Sequence, residues 1–501
     1  MNPEMNRVQV LSLAPDRNGE AGAECEIILP DYCPNILRIL QTTAHPTLTS
    51  AVRTGDRLTV EGSVEYKILY LPEDGCGIKA VSQQAHFSCA VDLNCDADAD
   101  YSVLLTPKNC VARALNPQKI YARCTVLIQV KINQTKEIPM PVLPGGCETK
   151  SCKKRTAKHL CSAQKPLRIS DEFEIDPGKI ATEILQTKIT FKETEQKPLT
   201  DKLIVKADMI LDLLCMADDH TTFSLRKVFP ISQILDLPGI HPKAICKTGF
   251  ELIASNFLAK DETTDGSQAV NYDVEIQVSG DVYEEAEAVW TEDVYSVKKS
   301  VECNRETVTT ERFWKIEESG TIRETAEIGT CTGILWVEVK PELRGTYYRQ
   351  EEDKLVSEGV WDCRILMTDA DGTPCAANRE LPFTLEIPAE GCKNPIRNDT
   401  SLILTDLSWS LADASHVEIK GTYRWNGLIF GRETAEAVSG ITEKDDRPRG
   451  GDAVVLYYAS KGESAWKIAK EHACPYEELL RSNRLEQDEI DEDKMLMIIA
   501  C

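Results

Sequence analysis

Four residues in one short stretch have the chemistry of a metal site. Cys147 and Cys152, followed by His159 and Cys161, offer three thiols and an imidazole, the donor set of a tetrahedral zinc shell. Lys150, Lys153, Lys154, Arg155 and Lys158 lie among them and would favour thiolate over thiol. The Cys-x4-Cys and His-x-Cys spacings match no common zinc framework, so the competing reading is a basic linker carrying unpaired thiols, and no cofactor is expected. Catalytic signatures are missing: there is no Gly-x-x-x-x-Gly-Lys-Ser/Thr loop, no His-Glu-x-x-His and no Gly-x-Ser-x-Gly. His45, His86, His159, His220, His241, His416 and His472 occur singly, and paired acids mean little in a chain with 81 Asp plus Glu. The chain reads as non-enzymatic; an unrecognised hydrolase among its β-elements is the remote alternative.

A second constellation lies near the C-terminus. Lys461, Gly462, Glu463 and Ser464 form a turn, and Asn483, Arg484, Leu485 and Glu486 a second loop, which together could flank a groove for an extended sugar chain or a protein edge. The elements that position them are legible. Val454, Val455, Leu456, Tyr457 and Tyr458 favour a strand. Gly462 permits the turn and Ser464 can cap a helix. Ala465, Trp466, Ala469, His472 and Ala473 recur at helical spacing, which places Trp466 in a core rather than on a ligand platform. Pro475, with Glu477 and Glu478 after it, suits the start of a second helix. Met495, Leu496, Met497, Ile498 and Ile499 close the unit as a strand, giving a βααβ order over residues 452–501.

The chain of 501 residues exceeds what one core usually supports. Its formal charge of -24 argues against a nucleic-acid partner, because phosphate binding needs a basic surface. Residues 1–19 lack a signal-peptide core and no apolar run is of transmembrane length, so a cytoplasmic protein is expected. The 19 cysteines form no regular framework. They are expected to be reduced, many as small core residues such as Cys124 and Cys215, with exposed thiols able to crosslink if an assembly later meets oxidant.

Internal repetition organises the first 440 residues. The run at 56–70 (DRLTVEGSVEYKILY) is echoed at 201–215 (DKLIVKADMILDLLC) and 353–367 (DKLVSEGVWDCRILM), each a long alternating strand bent at a small residue, Gly62, Ala207 or Gly359. The identical tetrapeptides Ile39-Leu40-Gln41-Thr42 and Ile184-Leu185-Gln186-Thr187 stand at the same distance before the first two copies. Phe87, Phe229 and Phe383 mark a following strand, and strands beginning at Val126, Val274 and Val417 a later one. The reading is three related β-sandwich-like domains at 20–145, 168–300 and 318–437, with linkers at 139–165, 298–320 and 442–451. Their strand edges are candidate surfaces for self-association.

Repeated domains with Gly-x-Val-x-Tyr-x-Ile-Leu-Tyr strands, the segment Asn116-Pro117-Gln118-Lys119-Ile120, and one terminal βααβ unit resemble the SPOCS-domain coat morphogenesis proteins of spore-forming Firmicutes, and the unit itself resembles a LysM domain. The fold class is therefore read as mainly β, three SPOCS-like domains followed by a small LysM domain. The resemblance implies a mother-cell protein at the forespore surface that helps encase it with coat. It implies a coat morphogenetic ATPase and other spore coat proteins as partners. LysM modules hold N-acetylglucosamine polymers between the first turn and the loop before the last strand. Here that loop, 490–495, is acidic and lacks the family's Pro-Gly. Protein is thus the expected ligand of the eight loop residues, and peptidoglycan, as in a wall or cortex adhesin, the alternative.

Overall fold

The computed structural model describes residues 5–75, 77–97, 99–142, 145–176, 178–261, 268–389, 391–392, 394–446 and 454–499. Three six-stranded units follow one another. Unit 1 has β2 (Arg17–Ile28), β3 (Ile36–Thr54), β4 (Arg57–Pro72), β5 (Lys79–Asp92), β6 (Asp100–Asn116) and β7 (Lys119–Pro141), preceded by β1 (Met5–Leu13). Unit 2 has β8 (Cys147–Glu174), β9 (Glu183–Leu199), β10 (Lys202–Met216), β11 (Thr222–Asp236), β12 (Ile245–Ala259) and β13 (Ala269–Ser296). Unit 3 has β14 (Lys299–Glu327), β15 (Gly333–Arg349), β16 (Lys354–Thr368), β17 (Pro374–Pro388), β18 (Pro395–Leu411) and β19 (His416–Asp446).

The topology repeats in all three. The second, third and fourth strands form an antiparallel meander, and the last strand lies between the first and the fifth in a second sheet. The two sheets face each other across an apolar core; in unit 1 Leu58, Val60, Val64 and Tyr66 meet Ala23, Cys124, Val126 and Ile128. The small residue and the aromatic of the repeat are one feature in units 1 and 3. Gly62 pairs with Phe87 and Gly359 with Phe383, and each ring covers its glycine. In unit 2 Ala207 pairs with Ile231, whereas Phe229 sits two positions on, opposite Met209, so the sequence equivalence of Phe229 does not hold.

Two of the three compositional linkers, 139–165 and 298–320, are not linkers; of the third, 442–446 ends β19 and 447–451 lies outside the described residues. Most of 139–165 is the start of β8, and 298–320 is the start of β14; both pair continuously with the last strand of their unit. Charged residues dominate there because these are long two-stranded ribbons with one face in solvent, so alternation rather than mean hydropathy carries the signal. In unit 1 the same ribbon is divided: β7 pairs β2 along 119–130 and β1 along 133–141, with Pro15 at the break.

Equivalent residues of the three units meet one another. Leu69, Leu214 and Leu366 occupy the same position of the repeated strand and lie in one buried cluster with Leu40, Leu185 and Leu335. Those last three are the extra residues of bulges placed alike in β3, β9 and β15. The identical tetrapeptides thus mark a bulge that turns a leucine toward the joint, and its third copy is Ile334-Leu335-Trp336-Val337. Three copies touching through equivalent residues require an approximate threefold arrangement. The ribbons meet similarly, through Leu11, Leu13, Tyr283, Phe313 and Phe430, and through Val10, Met140, Trp290, Val308 and Ala437. Asp399 of unit 3 is shared by Lys131 of unit 1, at 2.5 Å, and Lys247 of unit 2, at 3.9 Å.

Candidate functional site

The C-terminal unit has the βααβ order: β20 (Val454–Ala459), α1 (Ala465–Glu471), α2 (Tyr476–Asn483) and β21 (Lys494–Ile499). Ser464 caps α1, its hydroxyl accepting from the Lys467 amide. Arg484 ends α2 in the left-handed conformation. Ala465, Ile468, Ala469, Leu479, Leu496 and Ile498 form the core. Trp466 is buried as its spacing predicts, but its core is shared, because the ring packs edge-on against Tyr295 of β13 as well as Tyr476.

The unit is docked on the ribbon of unit 2. The Trp466 indole and the Lys470 ammonium both donate to Asp293, and Arg305 completes the shell at 2.6 Å. The Tyr295 hydroxyl donates to the Cys474 carbonyl at 2.7 Å. Lys150 reaches Asp488 at 2.8 Å. Burial pushes both carboxyls up, but Lys470, Trp466 and Arg305 hold Asp293, and Lys150, the Trp466 amide and Ser464 hold Asp488, below the usual carboxylate range.

The first predicted turn is bonded to residues 488–493, the stretch before β21, rather than to the predicted loop at 483–486. Gly462 donates its amide to Ile490, which returns one to Glu463, while the Ala465 amide donates to Asp488. Lys461 donates its amide to Asp493, and Ser464 its hydroxyl to Asp488. Asn483 is a tie within the unit: its amide group donates to the Leu479 and Met497 carbonyls and accepts from the Met497 amide. Leu485 packs on the core, and the Arg484 and Glu486 side chains face solvent. Of the eight residues, then, Ser464, Asn483 and Leu485 hold the unit together, and the Lys461 and Gly462 amides are spent on Asp493 and Ile490 in the stretch before β21.

What the sequence did not single out is the outer face of the sheet. Val454, Leu456 and Tyr458 alternate outward on β20, opposite Ile499, Met497 and Met495 on β21. Leu456 is 67% exposed, Tyr458 63% and Met495 60%. Period-two alternation in both strands was the available signal, since the inward set is Val455, Tyr457, Ala459, Leu496 and Ile498.

The zinc-like set does not converge. Cys147, Cys152, His159 and Cys161 lie along the single strand β8, opposite Ser296, Trp290, Tyr283 and Val282. At about 3.3 Å per residue, Cys147 and Cys161 are on the order of 45 Å apart. The spacing suited a loop, and the strand separates the ligands. The described residues contain no cluster of three such side chains placed for a metal, and no helix among them is long and apolar enough to cross a membrane.

No curated protein and no solved structure matches the chain. A family model does, over β3–β6 of unit 1 and β9–β12 of unit 2. Residues 35–113 and 181–258 match SipL, SPOCS domain, so units 1 and 2 each carry a SPOCS domain, a domain family that suggests a sporulation-related protein.

Proposed function

We propose that this protein is a non-enzymatic scaffold of spore coat assembly, whose threefold β-body positions a LysM-type tip that recruits a coat morphogenetic ATPase in the mother cell. The carrying observation is the exposed apolar face of β20 and β21, with the acidic run Glu489, Asp491, Glu492 and Asp493 immediately before β21 in the chain. Contiguous apolar surface next to an acidic run suits a protein partner, here one presenting an apolar patch edged by lysine or arginine. Peptidoglycan binding is the second reading, from the βααβ order alone. It is less favoured because the two loops that would border the glycan spend their donors on each other.

The test is binding of the full-length chain to the purified coat-basement ATPase and, in parallel, to peptidoglycan fragments. Leu456→Glu with Met497→Glu alters only side chains that already face solvent. Loss of ATPase binding in that variant, with no glycan signal in either protein, supports the proposal. Saturable glycan binding, or ATPase binding indifferent to both changes, would overturn it.

A further inference from the structure

Outside the tip, one pair of nucleophiles stands apart. β6 carries a two-for-one bulge: Lys108 pairs with Thr125 and Val111 with Arg123, which leaves Asn109 and Cys110 opposite Cys124 alone. Asn109 takes the left-handed conformation at φ 51°, and this turns the Cys110 side chain onto its neighbour. The two sulfur atoms lie 3.0 Å apart. Cys124 is fully buried and Cys110 half-buried. Nothing in the repeat requires thiols here, because the residue equivalent to Cys124 in unit 2 is Tyr272, which faces Phe257.

We propose that Cys110 and Cys124 are a built modification site, which a peroxide converts to an intramolecular disulfide that staples edge strand β6 to β7. The pair is asymmetric. The hydrogen bond between the thiols favours the Cys110 thiolate, with the Arg364 guanidinium and Lys340 ammonium adding to it, whereas Cys124 is held protonated. Cys110 is also the thiol that solvent reaches. Its thiolate attacks one peroxide oxygen, the O–O bond breaks, and Cys110 sulfenic acid and hydroxide form. The Cys124 sulfur then attacks the sulfenic sulfur, the S–O bond breaks, and water leaves with the Cys124 proton. Two thiols are oxidised and one peroxide is reduced to two waters. The sulfur separation must shrink by about 1 Å to reach a disulfide bond length, a movement within reach of a bulged edge strand.

The experiment treats the full-length reduced protein with hydrogen peroxide, blocks remaining thiols, digests with trypsin without reductant and weighs the peptides. The expected product joins residues 109–113 to 124–131, two hydrogens lighter than the sum, and dithiothreitol reverses it. In Cys124→Ser, Cys110 accumulates sulfenic acid that dimedone traps; in Cys110→Ser, Cys124 stays reduced. The wild-type midpoint of thermal unfolding rises on oxidation and that of Cys110→Ser does not. A Cys25–Cys124 linkage, a sulfinic Cys110 beside free Cys124, or a pair still reduced when surface thiols are fully oxidised would each overturn the assignment.

Discussion

The Trp466 indole nitrogen donates to Asp293 Oδ2 at 2.8 Å, across the boundary between the C-terminal unit and the ribbon of unit 2. One side chain therefore serves both the core of the tip and its attachment. Asp293→Ala removes the acceptor for Trp466 and the counter-charge of Lys470 and Arg305. Leaving the buried Trp466 N–H unpaired costs about 1–3 kcal/mol of docking free energy. Hydrogen exchange reads this directly: α1 amides lose protection in the variant, while β4, β10 and β16 keep theirs. Unchanged exchange at α1 would show that the apolar contacts with Tyr295 suffice.

Docking should also depend on pH in one direction. Both Asp293 and Asp488 sit below the ordinary carboxylate value of 3.8 in the folded chain, burial being outweighed by their donors. A depressed acid stabilises fully above its unfolded value and loses that contribution as pH falls through the folded one. The tip is thus expected to stay docked at neutral pH and to loosen below about pH 4. Protection of α1 measured against pH should fall in that window, and Asp293→Asn should flatten the dependence.

The strands that repeat were legible because alternation and a small bending residue survive divergence, as at Gly62, Ala207 and Gly359. The joint was half legible. The identity of Ile39-Leu40-Gln41-Thr42 with Ile184-Leu185-Gln186-Thr187 announced a shared constraint, but not that a bulge aims Leu40 and Leu185 at one another's neighbours. Its third copy keeps Ile334 and Leu335 but was hidden by Trp336 and Val337 in place of Gln and Thr. Residues 147–161 misled because a polar, lysine-rich run reads as a loop, whereas β13 supplies the pairing partner more than a hundred residues later. Asp293 and Asp488 carried no local signal at all, since their roles arise only when the tip meets the ribbon.

Asp399 offers a test of the threefold body. Its carboxylate is 4% exposed, with Lys131 of unit 1 and Lys247 of unit 2 as partners. Burial opposes its charge, and the two ammonium groups with Arg397 restore it. Asp399→Ala leaves Lys131 with no carboxylate in a poorly solvated joint, at a cost of about 3–5 kcal/mol. Replacing both members, Lys131→Met with Asp399→Leu, should recover most of that loss, because the desolvation penalty disappears with the charges. Urea unfolding of the single and double variants decides it; equal losses in both would mean that packing rather than charge holds the joint.

The glycines of the repeated strand make the last prediction, and they separate two explanations of why the strand bends. If Gly62 were needed only for backbone freedom, alanine would be tolerated, since φ there is not in the left-handed region. The space says otherwise. A Cβ on Gly62 would lie 2.5 Å from Phe87 Cζ and closer still to the Thr47 carbonyl, and one on Gly359 would meet Phe383 and the Glu342 carbonyl in the same way. The ring is a side chain with room to rotate, but the carbonyl belongs to the neighbouring strand, beside the bulges at 49 and 344. Gly62→Ala and Gly359→Ala should each cost about 1–3 kcal/mol by overpacking. Gly22→Ala, with open space around the site, should be close to neutral. Unit 2 already carries the alternative solution, Ala207 opposite the slimmer Ile231. Gly62→Ala combined with Phe87→Ile should therefore regain part of the lost stability in chemical denaturation, and a double variant no better than the single would place the constraint on the Thr47 carbonyl alone.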